Sequence, residues 1–330
     1  MLARAEHGED DLAPTAFAGM DRELAPFVFL ARARALGIPG ALVTLSAIDG
    51  GAPKALGTHM AVLADGRHLG HVSGGCVEPA IAAEFAPLIA AGEDQTFRFG
   101  RGSRFIDIRF PCGGGVDLML HAQPQAALLA EAIARFERRE AFAIAFDPAH
   151  SAATITDSPA PTGWRDGVFI RRYQPRTRLL LVGRGPEFEV MARVSAAAEF
   201  DLRLATPDES SAHALAALNV PIEILTTPTQ AFELPIDPWT ATVLLFHEHE
   251  WENAILVRAA VADGFYVGAL GSVKTHGLRR ARLAAMGLSP AAIDRIRGPI
   301  GLIDRARDPG MLALSVLAQI SATRAQLDRA

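Results

Sequence analysis

Arg178-Leu179-Leu180-Leu181-Val182-Gly183-Arg184-Gly185-Pro186-Glu187-Phe188 is an apolar run that stops at a glycine turn and passes directly into the helical pattern of residues 188–198. A strand that enters a glycine turn and leaves as a helix is the opening of a nucleotide-binding unit. The glycines permit the tight turn, and the N–H groups at the helix start face outward, where a phosphate can meet them. The chain then keeps this rhythm, with strand-like DLRLAT (201–206), IEIL (222–225), TATVLLF (240–246) and FYVGALG (265–271) separated by helical stretches. Strands written as nearly continuous apolar residues between helices require a parallel sheet covered on both faces. Residues 176–330 are therefore predicted to form a Rossmann-like, doubly wound parallel-sheet domain.

Upstream the pattern differs. Residues 1–20 read as a flexible leader and residues 21–175 as a mixed α/β domain. A helix over 21–36, interrupted by Pro26, ends at Gly37, and a strand ALVTLSAI (41–48) and a hairpin turning at Asp65-Gly66 follow. A helix opens after Cys76 and stops at Gly92. Strands are expected over 103–110 and 116–122, on either side of Pro111-Cys112-Gly113-Gly114-Gly115, then a helix over 126–139 and paired strands up to Tyr173. With 330 residues, half of them apolar, the chain has material for two cores.

Thirty-two basic residues stand against 37 acidic ones, a formal charge of −5, so no global positive field exists to collect nucleic acid. The acid-bearing N-terminus does not read as a signal peptide, and no apolar stretch approaches the ~20 residues that cross a bilayer. A cytoplasmic protein, not attached to membranes, is the expectation. Two cysteines allow one disulfide at most, which directs attention to their thiols.

Cys76 follows Ser73-Gly74-Gly75 and precedes a helix, and Cys112 precedes three glycines. Turns rich in free backbone N–H groups favour thiolate over thiol, and thiolate is a soft ligand for a metal. Glu78 stands close enough to Cys76 to exchange a proton with it or, alternatively, to cap the helix. In the second half, Gly183 and Gly185 occupy the first two glycine positions of a dinucleotide turn, while Phe188 takes the third and Thr206 stands where a ribose-binding acid is expected. Gly268 and Gly271 allow a ligand close to the backbone, and Ser272, Lys274 and His276 offer donors there. His247-Glu248-His249-Glu250 lies at a strand end, without the HExxH spacing of a zinc site.

The strings Gly70-His71-Val72-Ser73-Gly74-Gly75-Cys76-Val77-Glu78 and Cys112-Gly113-Gly114-Gly115-Val116-Asp117, with Phe265-Tyr266-Val267-Gly268-Ala269-Leu270-Gly271-Ser272 and Ile296 to Leu302, resemble the XdhC/CoxI family of molybdenum-cofactor chaperones. The resemblance runs from about Asp21 to Ile320. It implies an XdhC/CoxI-type first domain, and a protein that binds molybdopterin (molybdenum cofactor), protects it during sulfuration and delivers it to a xanthine dehydrogenase-like molybdenum hydroxylase apoprotein. It further implies a cysteine desulfurase partner, self-association into a homo-oligomer, and a non-catalytic chaperone rather than an enzyme. On this reading Cys112 is the cofactor-associated and metal-facing thiol. Cys76, Glu78, Gly113 and Gly114 contribute in the first domain, and Gly183, Gly185, Gly268, Gly271, Ser272, Lys274 and His276 in the second. Two alternatives stand beside it: an NAD(P)-dependent oxidoreductase built on the second domain, and a regulatory module that binds protein without cofactor.

Overall fold

The structure, a computed structural model, describes residues 9–51, 54–75, 77–105, 113–229, 234–248 and 250–328. The chain divides into two compact units, Met1–Pro175 and Arg176–Ala330.

The first unit opens with two short 3-10 turns, Glu9–Leu12 and Pro14–Phe17. Leu12 and Phe17 are buried in its core, and the Phe17 ring meets Phe29 edge-on at 5.5 Å. This part of the expected leader is thus held by apolar packing. Helix α1 (Ala25–Ala35) carries Pro26 in its first turn rather than as an interruption, where the missing N–H costs nothing. The remaining elements are β1 (Gly40–Asp49), β2 (His59–Leu63), β3 (His68–Gly70), α2 (Glu78–Ile89), β4 (Gln95–Gly100), β5 (Gly115–Ala122), α3 (Ala126–Glu137), β6 (Phe142–Asp147), β7 (Ala152–Thr156), β8 (Gly163–Arg165) and β9 (Val168–Tyr173).

An antiparallel sheet of order β3-β2-β1-β5-β4 forms the frame of this unit. Alternation along β1 decides its two faces. Ala41, Val43 and Leu45 pack with Ile81 and Phe85 of α2, whereas Leu42 joins Phe29 and Leu30 of α1 on the other side. A second sheet, β7-β6-β9-β8, supplies Phe146, Phe169 and Tyr173 to that second core. The strand expected over 103–110 falls mostly on residues that the structure does not describe. Residues 106–110 lie outside the described residues, 103–105 are not extended into a ladder, and the strand paired with β5 on that side is β4, earlier in the chain.

The second unit contains β10 (Arg178–Gly183), α4 (Gly185–Ala197), β11 (Asp201–Thr206), α5 (Glu209–Leu215), β12 (Ile222–Ile224), β13 (Thr240–Leu245), α6 (Glu250–Val261), β14 (Tyr266–Ala269), α7 (Val273–Ala285), α8 (Pro290–Asp294), β15 (Ile296–Arg297) and α9 (Pro309–Leu327). All neighbouring strands are parallel, in the order β12-β11-β10-β13-β14-β15. Two apolar clusters cover the sheet: Phe188, Met191, Val316 and Ile320 from α4 and α9 on one face, and Leu256, Ala259 and Leu283 from α6 and α7 on the other. The doubly wound Rossmann-like arrangement is therefore present. Its strand order reverses between β10 and β13, which is where such sheets open a crevice at their carboxyl ends.

Candidate functional site

Both cysteines lie outside the described residues, so the site is defined by the segments that flank them. Because each strand of the first sheet runs opposite to its neighbours, the carboxyl ends of β1, β3 and β4 and the start of β5 lie at one end of the sheet. Ser73–Glu78, which surrounds Cys76, leaves β3 at that end, and Gly113-Gly114, next to Cys112, enters β5 there. The topology thus brings the two cysteine-bearing segments to the same end of the sheet, with β2 and β1 between β3 and β5.

Each segment has a local lock. Glu78, only 1% exposed, folds back from the start of α2. One oxygen, Oε1, accepts the N–H and the hydroxyl of Ser73, each at 2.7 Å, and the other, Oε2, accepts the N–H of Val77 at 3.2 Å. Burial opposes ionisation of this carboxyl. The Ser73 hydroxyl and N–H, its own backbone N–H and the nearby His71 outweigh that and hold it below the usual glutamate value. Glu78 is thereby an ionised acceptor that ties Ser73 and Val77 to the start of α2.

Gly113 adopts a left-handed φ of +67°, and among the described residues no atom lies where a Cβ would stand at Gly113 or at exposed Gly74. Gly115 has the opposite environment. A Cβ there would lie 2.7 Å from Nη2 of Arg98 and 2.8 Å from the carbonyl oxygen of Arg101. Arg98 donates to Asp117 at 3.2 Å and to Asp49 at 2.6 Å, and its Nε donates to the Arg101 carbonyl at 2.8 Å. Arg101 completes the group with a 2.6 Å bond to Asp49. Hydrogen bonding to Arg101, then the charges of both arginines, hold the Asp49 carboxyl below its ordinary value against a weaker effect of burial. The network ties the ends of β1, β4 and β5 beneath the Gly113-Gly114 turn. Sequence reading missed Arg98, although one signal was available. In TFRFG it is the charged residue between two buried-type phenylalanines, and register places it directly opposite Asp117.

In the second unit, Gly183 and Gly185 reach the β10 end of the crevice. Gly183 has a packing role, since a Cβ would sit 2.6 Å from the Leu245 carbonyl oxygen of β13. Gly185 has φ +78°, and its N–H donates to the Ser211 hydroxyl at 3.2 Å. Asp208, the acid nearest to a ribose-binding position, caps α5 instead, accepting from the N–H groups of Ser210 and Ser211 and from the Ser211 hydroxyl at 2.7 Å. Glu187 and Glu189 lie in the first turns of α4, Arg184 is ion-paired with Glu248, and His247 lies 3.7 Å from Glu187. A pyrophosphate at this helix start would meet carboxylates and an N–H already in use. His249 lies outside the described residues. Among the described residues no cluster of three or more His, Cys, Asp or Glu side chains is placed to hold a metal.

The other glycine turn, after β14, lies two strands away from the first. Gly268 leaves room for Tyr266 and Ile300, and Gly271 (φ +141°) has the Thr275 side chain against it. Ser272 caps α7 by accepting the N–H of Thr275 at 3.2 Å, while Lys274 is exposed. His276 packs against Gly298, and Arg279 donates toward its Nδ1 at 3.4 Å. Burial, then Arg279 and Arg280, lower the His276 pKa, with Glu252 the only opposing influence. Beneath this turn Arg279, fully buried, makes a bidentate pair with buried Glu252 at 3.0 Å and donates to the Leu270 carbonyl at 2.6 Å. Ser272, Lys274 and His276 do therefore gather at the strand end, His276 as a neutral ring engaged with Arg279.

No helix of the described residues is long and apolar enough to cross a membrane.

Comparison with known proteins matches residues 33–100 to the XdhC and CoxI family and residues 179–320 to the XdhC Rossmann domain. The chain is 38% identical over 283 residues to the molybdenum cofactor insertion chaperone PaoD of Escherichia coli strain K12, covering 86% of this chain and 83% of that protein. It is 25% identical over 325 residues to a probable xanthine dehydrogenase subunit of Bacillus subtilis strain 168, covering 86% and 92% of the two chains. The crystal structure of a xanthine dehydrogenase from Bacillus halodurans shares the fold, with a TM-score of 0.69 at 18% identity over 91% of this chain and 96% of that one. With both units matched by models of one family, and a relative more than one-third identical over most of either length, the chain belongs to the XdhC and CoxI family.

Proposed function

We propose that this protein is a molybdenum-cofactor chaperone, which binds molybdopterin cofactor as its cargo, shields it during sulfuration and passes it to a molybdenum hydroxylase of the xanthine dehydrogenase kind. The observation that carries the reading is the convergence of the Ser73–Glu78 turn and the Gly113-Gly114 turn, each adjoining a cysteine, at one end of the first sheet. The relatives' names point the same way. Gly74 and Gly113, which no atom of the described residues crowds where a Cβ would stand, let a flat ring or a phosphate reach the backbone there. Cys112 is the residue assigned to the molybdenum-sulfur end of the cargo, and Cys76 falls in the sequence between Ser73 and Val77, both of which Glu78 holds. A cysteine desulfurase is the proposed sulfur source, and assembly into a homo-oligomer is part of the same proposal. Gly268, Gly271, Ser272, Lys274 and His276 are proposed contacts for the cargo in the second unit. Gly183 and Gly185 are weaker contacts, because carboxylates surround them. The same carboxylates count against nicotinamide dinucleotide binding and an oxidoreductase activity.

The test is retention of cargo. Purified full-length protein mixed with molybdopterin cofactor is expected to carry molybdenum and pterin through gel filtration and to activate a cofactor-free molybdenum hydroxylase. Cys112→Ala is expected to lose the bound metal, with the fold checked by circular dichroism. Retention and transfer by a folded Cys112→Ala variant equal to those of the unaltered protein would remove that thiol from the mechanism. Absence of retention by the unaltered protein would end the chaperone reading.

A further inference from the structure

The opposite end of the first sheet, where β5 finishes, holds a group of polar side chains that the chaperone reading does not use. His121 is 4% exposed on β5, and Asp94, which precedes β4, has a fully buried carboxylate. Its Oδ2 lies 2.7 Å from Nδ1 of His121, and its Oδ1 accepts the N–H of Ala122 at 3.0 Å. The N–H of Asp94 in turn donates to the Ser151 hydroxyl oxygen at 2.9 Å. Phe146 meets the imidazole edge-on at 5.6 Å and fixes its plane. A carboxylate on Nδ1 sets the tautomer and orientation of a histidine ring, leaving Nε2 as the group it presents. That nitrogen has no partner among the described residues.

The ring forms one wall of a cavity of about 190 Å³, whose other walls are Gly92, Ala122, Gln123, Gln125, Leu128, Ser151 and Ala153. Gln125 and Leu128 bring the start of the 12-residue helix α3 to the cavity. Gln125 precedes the helix without making a side-chain capping bond, so no cap satisfies the first-turn N–H groups. His121 is the only titratable residue in the lining, and Asp94 is the charged group behind it. When His121 takes a proton it forms a neutral buried pair with Asp94 and points an N–H donor at the cavity. The Ser151 hydroxyl and the positive end of α3 add donors to the same space, with no competing carboxylate in the walls.

We propose that this cavity binds a small oxyanion of the phosphate class, held by His121, Ser151 and the N-terminus of α3. It lies at the far end of the sheet from the cysteine-bearing turns, so it does not depend on the chaperone reading. The anion is either free phosphate or a phosphate monoester group on a larger molecule.

The experiment follows the His121 ring signal by NMR in the full-length protein. Inorganic phosphate and phenyl phosphate are titrated separately through the millimolar range. A shift of the His121 signal with inorganic phosphate identifies the free anion as sufficient, and a shift with phenyl phosphate alone identifies an ester site. In isothermal titration calorimetry with the same probes, His121→Gln is expected to weaken binding about tenfold or more by removing the ring N–H donor. Gln125→Glu, an exposed change that leaves the His121–Asp94 bond in place, is expected to weaken it about threefold by putting a negative charge at the helix start. A His121 signal unmoved by either probe, or an affinity unaltered in Gln125→Glu and in a folded His121→Gln protein, overturns the assignment.

Discussion

Ser73 gives a single oxygen of Glu78 two hydrogen bonds, one from its N–H and one from its hydroxyl, both 2.7 Å long. The acid ties Ser73 and the N–H of Val77 to the start of α2, so the backbone on either side of position 76 depends on the charge state of a buried carboxylate.

Glu78→Gln replaces one of its two acceptor oxygens by a donor, which must then face an N–H or hydroxyl that also donates. A loss of about 1–3 kcal/mol in unfolding free energy is expected, read from urea denaturation. The pH direction follows from the lowered carboxyl pKa. The stabilisation is complete above the ordinary glutamate value of 4.5 and is lost as pH falls through the lower value in the fold. Unaltered stability of the variant near neutral pH would show that the lock contributes nothing.

Gly115→Ala places a methyl group 2.8 Å from the Arg101 carbonyl oxygen, a backbone atom that cannot swing away. A destabilisation of about 1–3 kcal/mol is expected from the resulting displacement of β4 against β5, measured by thermal unfolding. Gly113→Ala meets no atom of the described residues but is strained by its φ of +67°, so its effect is expected to be about 1 kcal/mol.

Arg279→Met leaves Glu252 as a buried charge without its bidentate partner. About 3–5 kcal/mol of stability is expected to be lost. The double replacement Arg279→Met with Glu252→Met should recover part of this, since the uncompensated carboxylate is gone, the recovery being limited by Arg282, whose Nη2 lies 3.7 Å from Glu252 and loses that neighbour. A double variant as unstable as the single one would contradict this account.

His59 is buried in the first unit, with Nδ1 2.9 Å from the Thr44 hydroxyl and Nε2 bonded to the Tyr173 hydroxyl. Burial, then the charge of Arg171, push its pKa well below the ordinary 6.5. Folding therefore favours the neutral ring. Its contribution is complete above about pH 6.5 and declines as pH falls toward the depressed value, where the unfolded chain binds a proton that the folded one refuses. Urea midpoints compared at about pH 7.5 and 5.5 are expected to fall less in His59→Gln than in the unaltered protein. Equal declines would assign the acid sensitivity to other groups.

Periodicity made the second unit legible. Continuous apolar strands such as Leu179–Val182 can only sit in a sheet covered on both sides, and intervening helices impose parallel neighbours. The glycine turns after β10 and β14, the Ser272 cap and the hairpin at Asp65-Gly66 were equally readable, because turn and cap chemistry acts over a few residues. Both signature turns of the first unit could likewise be quoted from the chain alone. What the residues could not say is what each polar group meets across the fold. The pairing of Arg98 with Asp49 spans 49 residues, and that of Asp94 with His121 spans 27. Asp208, the acid nearest to the ribose-binding position, is committed to capping α5, and Glu78 is bound to Ser73 rather than left free for proton exchange. Local conformation follows from the preferences of neighbouring residues, whereas the partner of a side chain follows from strand order and register, which only the assembled sheet determines.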